Sequence, residues 1–102
     1  MEEALKDSIL GALEMVIDPE LGIDIVNLGL VYKVNVDDEG VSTVDMTLTS
    51  MGGTMGPQII DQVKTVLAEI PEIQDTEVNI VWSPPWTKDM MSRYAKIALG
   101  VS

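Results

Sequence analysis

The sequence contains no cysteine, no histidine and no phenylalanine, and only 6 of its 102 residues are Lys or Arg. Without Cys there is no disulfide, no thiolate nucleophile, no CxxC redox pair and no Cys-ligated zinc or iron–sulfur site within the chain. Without His there is no imidazole base and no His–carboxylate metal site. The few cations stand against 17 acidic residues, giving a formal charge of −11 and a pI near 4.1. Nucleic acid and anionic membranes both require clustered Lys and Arg, so neither is an expected partner, whereas basic protein surfaces are. No apolar run approaches the ~18 residues that span a bilayer. The start Met1-Glu2-Glu3 has the wrong sign for a secretory leader, so a cytoplasmic location is expected.

What is present suits one folded domain over residues 1–102. The hydrophobic fraction is 46%, too high for disorder at this charge, and a chain of this length can bury one core without covalent staples. No repeat, low-complexity tract or linker interrupts it, and Gly and Pro divide it cleanly into elements.

The spacing predicts a helix over residues 2–17, with Leu5, Ile9, Leu13, Val16 and Ile17 on one face and Glu2 and Glu3 complementing the dipole of its first turn. Pro19 ends it, and Asp18-Pro19-Glu20-Leu21-Gly22 reads as a turn. Alternation predicts a strand over 30–36, with Leu30, Tyr32, Val34 and Val36 on one side, then a turn at Asp37-Asp38-Glu39-Gly40. A second strand is predicted over 43–49, with Val44, Met46 and Leu48 opposed to Thr43, Asp45, Thr47 and Thr49. After a glycine-rich loop, Pro57 opens a helix whose stripe is Ile59, Ile60, Val63, Val66, Leu67 and Ile70. Residues 76–82 predict a third strand, and Thr87 the N-cap of a last helix through Leu99, with Met90, Met91, Tyr94, Ile97 and Ala98 as its apolar residues. The order helix-strand-strand-helix-strand-helix implies a two-layer α+β sandwich: a mainly antiparallel three-stranded sheet with helices on one face.

Three places offer chemistry. Loop 49–57 runs into a helix N-terminus, where free N–H groups favour an anion or a thiolate, although a plain strand-to-helix connection explains the spacing equally simply. Its hydroxyls, Thr49, Ser50 and Thr54, have no His-type base to activate them. Asp18 and Glu20, with Asp24 nearby, could bind a hard cation or act as acid and base, or could simply build a solvated turn. In Trp82-Ser83-Pro84-Pro85-Trp86, two indoles among prolines form either a stiff partner-binding platform or two caps on a core that has no Phe.

Taken in order, Asp18-Pro19-Glu20-Leu21-Gly22, Ile25-Val26-Asn27-Leu28-Gly29-Leu30-Val31-Tyr32, Met46-Thr47-Leu48-Thr49 with its glycine loop, and Val81-Trp82-Ser83-Pro84-Pro85-Trp86 resemble the MIP18 family. This is the domain of unknown function 59 group, which includes PaaD, and the closest likeness is to its short, single-domain SufT-like bacterial members. The resemblance runs from about residue 4 to residue 100. It implies a small α+β domain, often dimeric, that serves as an auxiliary factor in iron–sulfur protein maturation and helps deliver clusters to apoproteins. The implied partners are iron–sulfur assembly proteins and client apoproteins.

The implied binding site is the loop Thr49, Ser50, Gly52, Gly53 and Thr54, flanked by Asp18 and Glu20, with Trp82 and Trp86 as a partner surface. One departure is specific: Thr49-Ser50-Met51-Gly52 fits the family pattern, but Gly53-Thr54 stands where Cys-Pro is implied. A thiol there would be held as thiolate by the helix N-terminus. With Gly53 in its place, the thiol and cluster chemistry of relatives is expected to be lost, and no cofactor or metal is expected on this chain. The resemblance implies a non-enzymatic role. Two rival readings are a protein-binding scaffold and a PaaD-like component of a multi-subunit oxygenase system. The turn at 18–20 is further expected to approach loop 50–56.

Overall fold

The computed structural model describes residues 2–49 and 56–101. Helix α1 (Glu3–Leu13) precedes an irregular stretch, and strands β1 (Val31–Val36) and β2 (Val41–Met46) form a hairpin. Helix α2 (Gly56–Leu67) leads to strand β3 (Asp75–Ile80), and a 3₁₀ turn at Lys88–Met90 precedes helix α3 (Arg93–Leu99). The sheet order is β1-β2-β3. This is the α+β architecture expected from the pattern, with one correction to strand direction. β1 and β2 are antiparallel, but β2 and β3 are parallel, from Val41 opposite Asp75 to Met46 opposite Ile80. The sheet is therefore mixed. α2 carries the chain back across the sheet, and a helical crossover between neighbouring strands delivers the second parallel to the first.

The core lies between the helices and the inward side of β2. Ile9 and Leu13 of α1, Val44 and Met46 of β2, and Ile59, Val63 and Leu67 of α2 are buried in one cluster. Each such side chain contributes about 1.5–3 kcal/mol by leaving water. Ser42 is buried with them, but its hydroxyl meets that of Thr76 at 2.6 Å across the parallel pair, so neither polar group is orphaned.

Four local expectations shift. α1 stops at Leu13 rather than 17, because Met15 N–H and Val16 N–H turn to the carbonyls three residues back. Ile17 then leaves the helical face to pair with Asp24 and is exposed. In β1 the register shifts between Val31 and Lys33, so Val31 faces Met46 and Tyr32 becomes the extra residue of a bulge, departing from simple alternation. β2 ends at Met46. Thr47, expected on the polar side, is 1% exposed, while Leu48 is half-buried. Thr47 N–H donates to the carbonyl of Leu30 at 2.8 Å, one step beyond the Val31–Met46 pair.

The last helix begins at Arg93, not after Thr87. Thr87 makes no side-chain cap, whereas Ser92 Oγ accepts from Ala95 N–H. Met91 is extended, so the buried residues are Met91 and Ala95, and Tyr94 and Ile97 stand 62% and 69% exposed.

Candidate functional site

The site is built around the tight stretch 24–30, which has no regular structure of its own. Asp24 accepts from the backbone N–H of Asn27 at 2.9 Å and from its amide Nδ2 at 2.7 Å, closing the turn with a buried carboxylate. Gly29 follows with φ +79°, the left-handed region, and a side chain there would overlap the carbonyl of Met90. Two backbones can thus come together only because this residue is glycine.

The segment after β3 packs onto that turn. Trp86 Nε1 donates to the carbonyl of Leu28 at 2.7 Å, and its ring packs against the core. Tyr32, freed by the bulge, donates its hydroxyl to the Pro84 carbonyl at 2.8 Å. The Ser83–Pro84 peptide bond is cis. At the start of α3, Ser92 donates its N–H to the Asn27 carbonyl at 2.8 Å and its Oγ–H to Asn27 Oδ1 at 2.7 Å. Asn27 is therefore bonded through all its polar atoms to Asp24 on one side and Ser92 on the other. Segments 24–32 and 82–92, well separated in the sequence, form one bonded unit.

At its margin lies a hollow of about 140 Å³ lined by Leu48, Thr49, Trp82, Pro85 and Trp86. Trp82 is 41% exposed there. The two proposed roles of the tryptophans divide between them: Trp86 caps the core, and Trp82 is presented at the surface. Thr49 shares the hollow with both. Ser50, Gly52, Gly53 and Thr54 lie outside the described residues, and so does the expected approach of the 18–20 turn to that loop.

Asp18 and Glu20 do not line the hollow. Asp18 is 4% exposed and its Oδ1 accepts from the N–H groups of Glu20 (2.8 Å) and Leu21 (3.1 Å). This is the turn-forming alternative, which uses the carboxylate to satisfy the backbone. Glu20 points into solvent. Among the described residues no group of three His, Cys, Asp or Glu side chains could hold a metal ion. Among the described residues the hollow offers an indole face, a proline ring and a hydroxyl. Asn27, Tyr32 and Ser92 were not singled out from the sequence. Their partners lie 52 to 65 positions away, and no local pattern records them.

The chain belongs to the iron–sulfur cluster assembly protein family, whose model matches residues 6–80. It is 97% identical over 88 residues to the Fe-S protein maturation auxiliary factor SufT of Staphylococcus aureus, covering 86% of this chain and all of that one. It is 66% identical to the Fe-S protein maturation auxiliary factor YitW of Bacillus subtilis, over 99% of each. Among solved structures, a domain of unknown function DUF59 from Bacillus anthracis superposes with a TM-score of 0.92 at 53% identity, covering 99% of this chain and 96% of that one. Rv1466 of Mycobacterium tuberculosis, described as associated with [Fe-S] complex assembly and repair, matches with a TM-score of 0.57 at 40% identity, covering 98% of this chain and 89% of that one.

Proposed function

We propose that this chain is an auxiliary factor in the maturation of iron–sulfur proteins, acting by protein contact with assembly proteins and client apoproteins rather than as an enzyme. The carrying observation is the near full-length likeness to two maturation auxiliary factors. The complete lack of Cys and His supports the manner of action: a cluster in transit is cargo, and this chain brings neither of the side chains that commonly ligate it. The contact surface in this reading includes the hollow at Thr49 and Trp82, and the family resemblance assigns Ser50, Gly52, Gly53 and Thr54 to the same role. The setting is the cytoplasm, and two copies can act together.

The test is complementation. Cells lacking their own factor receive this chain or its Gly53→Cys variant, and aconitase-type activity is measured. The proposal expects partial recovery with the chain as it stands and more with the cysteine restored. No recovery with either version overturns the maturation role, and equal recovery overturns the importance of position 53. The exposed indole of Trp82 also favours a narrower reading, a protein-binding scaffold with no part in cluster delivery. In that case Trp82→Ser abolishes capture of the partner while Gly53→Cys changes nothing.

A further inference from the structure

β1 is an edge strand, and among the described residues no other strand pairs with its outer side. Opposed residues in an antiparallel pair either exchange both backbone hydrogen bonds or turn those groups outward, alternately along the strand. Asp37 N–H bonds to Val41 O. Counting back in steps of two puts Asn35–Thr43 and Lys33–Asp45 in the bonded positions. Val34 and Val36 therefore direct their N–H and C=O groups away from β2, toward the free edge.

A groove of about 310 Å³ runs along that edge, lined by Lys6 and Leu10 from α1 and by Val31, Tyr32, Lys33 and Val34 from β1. Its charge is unusual for this molecule. The chain has 6 cations and 17 acids, yet among the described residues two of the cations line this groove and no carboxylate does; Asp45 stands opposite Lys33 on the inner side, on β2. Both lysines are exposed, with Leu10, Val31 and Val34 half-buried between them. Lys33 lies on the side of the strand away from the half-buried Val34 and Val36, and Lys6 rises from the helix packed on the other side.

We propose that this edge is a docking site for an extended, acidic segment of a partner protein, which adds to β1 as a further strand. The backbone groups of Val34 supply the ladder bonds, the apolar floor takes small aliphatic side chains, and Lys6 and Lys33 take carboxylates projecting to the two sides of the added strand. The net negative charge of the whole chain repels such a segment at long range, but that field is screened over about 8 Å at physiological salt, so the near charges decide the contact: Lys6 and Lys33 at the edge, against Asp45 set one strand further in. A second copy of this chain answers the lysines less well: antiparallel pairing of β1 with itself, centred on the outward groups of Val34, sets Lys33 opposite the uncharged Asn35, whereas an acidic segment can place a carboxylate there. The site shares no lining residue with the hollow at Thr49 and Trp82, so it goes beyond the maturation proposal and does not depend on it.

The test uses fluorescence anisotropy with a short synthetic peptide rich in valine and glutamate, compared with the same peptide carrying lysine for glutamate. Saturable binding of the acidic peptide alone is expected. The double variant Lys6→Glu, Lys33→Glu should weaken it roughly ten-fold or more, the scale set by losing two exposed ion pairs and gaining two repulsions. N-methylation of alternate peptide amides should abolish binding, because it removes ladder donors. Equal binding of both peptides, no binding at millimolar concentration, or an unchanged double variant overturns the proposal. So does sedimentation showing a dimer that the double variant dissolves, which would assign the edge to a second copy. If the double variant proves unfolded, chemical-shift mapping on the unaltered chain decides: shifts centred on Leu10 and Val31–Val34 sustain the site, and shifts elsewhere refute it.

Discussion

Replacing Gly29 with alanine tests whether the two segments of the site are held together as described. The backbone there has φ +79°, and a Cβ would lie 2.8 Å from the carbonyl carbon of Met90 and closer still to its oxygen. The left-handed conformation alone costs a non-glycine residue about 1–2 kcal/mol. Relief of the overlap requires residues 88–92 to withdraw. That strains the Trp86–Leu28 bond at 2.7 Å and the paired Ser92–Asn27 bonds, and losing the equivalent of two such bonds adds about 2 kcal/mol. The total of about 3–4 kcal/mol is a large share of the ~5–15 kcal/mol that holds a domain of this size. In melting temperature this is a fall of about 12 °C or more.

Gly22 supplies the control. Its φ is +73° but nothing lies within 4 Å of the position a Cβ would occupy, so Gly22→Ala should lose only the conformational part, about 1–2 kcal/mol. Urea unfolding followed by the emission of the two tryptophans measures both. If the two variants are destabilised equally, within about 0.5 kcal/mol, Met90 is not pressed against Gly29 and the account of the bonded unit fails.

Five further outcomes follow from particular atoms. Thr47 Oγ1 is buried and has no hydrogen-bond partner among the described residues. Thr47→Val should therefore be neutral or stabilising by up to about 1 kcal/mol in thermal denaturation, because an unpaired buried hydroxyl is disfavoured over a methyl group of the same shape. Asp18→Ala should cost about 1–2 kcal/mol by leaving the N–H groups of Glu20 and Leu21 unanswered, the scale of a lost cap. Added divalent cation should leave the melting temperature of the unaltered chain unmoved, since a specific ligand would raise it. Trp86→Phe removes the donor to Leu28 and should cost about 1–2 kcal/mol in chemical denaturation. Trp82→Ser, at an exposed ring, should stay within about 0.5 kcal/mol.

The parts of the fold legible in the sequence are those that rest on local period. Val44 and Met46 alternate with polar neighbours, and Ile59, Val63 and Leu67 recur at helical spacing; each is buried as its pattern requires. Strand direction was not legible, because alternation is the same whichever way a strand runs; the parallel pairing of β2 with β3 follows from where α2 returns the chain. The place of Tyr32 was misread for a related reason. A bulge shifts the phase of alternation by one residue, and only the register against Met46 and Asp45 reveals it. Likewise the sequence reading puts the last N-cap at Thr87, but Ser92 takes it, where its bonds to Asn27 fix the start of the helix. At the site, the sequence reading set Thr49 beside Asp18 and Glu20 and kept Trp82 and Trp86 apart as a partner surface; the structure lines one hollow with Thr49 and both indoles, and no local pattern says which indole is structural.

That division between the indoles bears on how a chain without thiol or imidazole can take part in handling iron–sulfur clusters. Satisfied bonds hold Trp86, Asn27, Tyr32 and Ser92, so these residues give the surface a fixed shape. Trp82 is left exposed on that rigid support, and an exposed aromatic on a pre-ordered frame loses little further entropy when a partner covers it. A protein that acts by contact needs such an anchor more than it needs a ligand of its own. It also needs its anionic surface to select among partners. The charge of −11 favours basic faces generally, and the Lys6–Lys33 groove is the local exception that would admit an acidic strand. Taken together, the two proposed surfaces of opposite preference would let one small domain hold two dissimilar proteins at once, which is the arrangement a delivery factor requires if cargo is to pass between neighbours without resting on the factor itself.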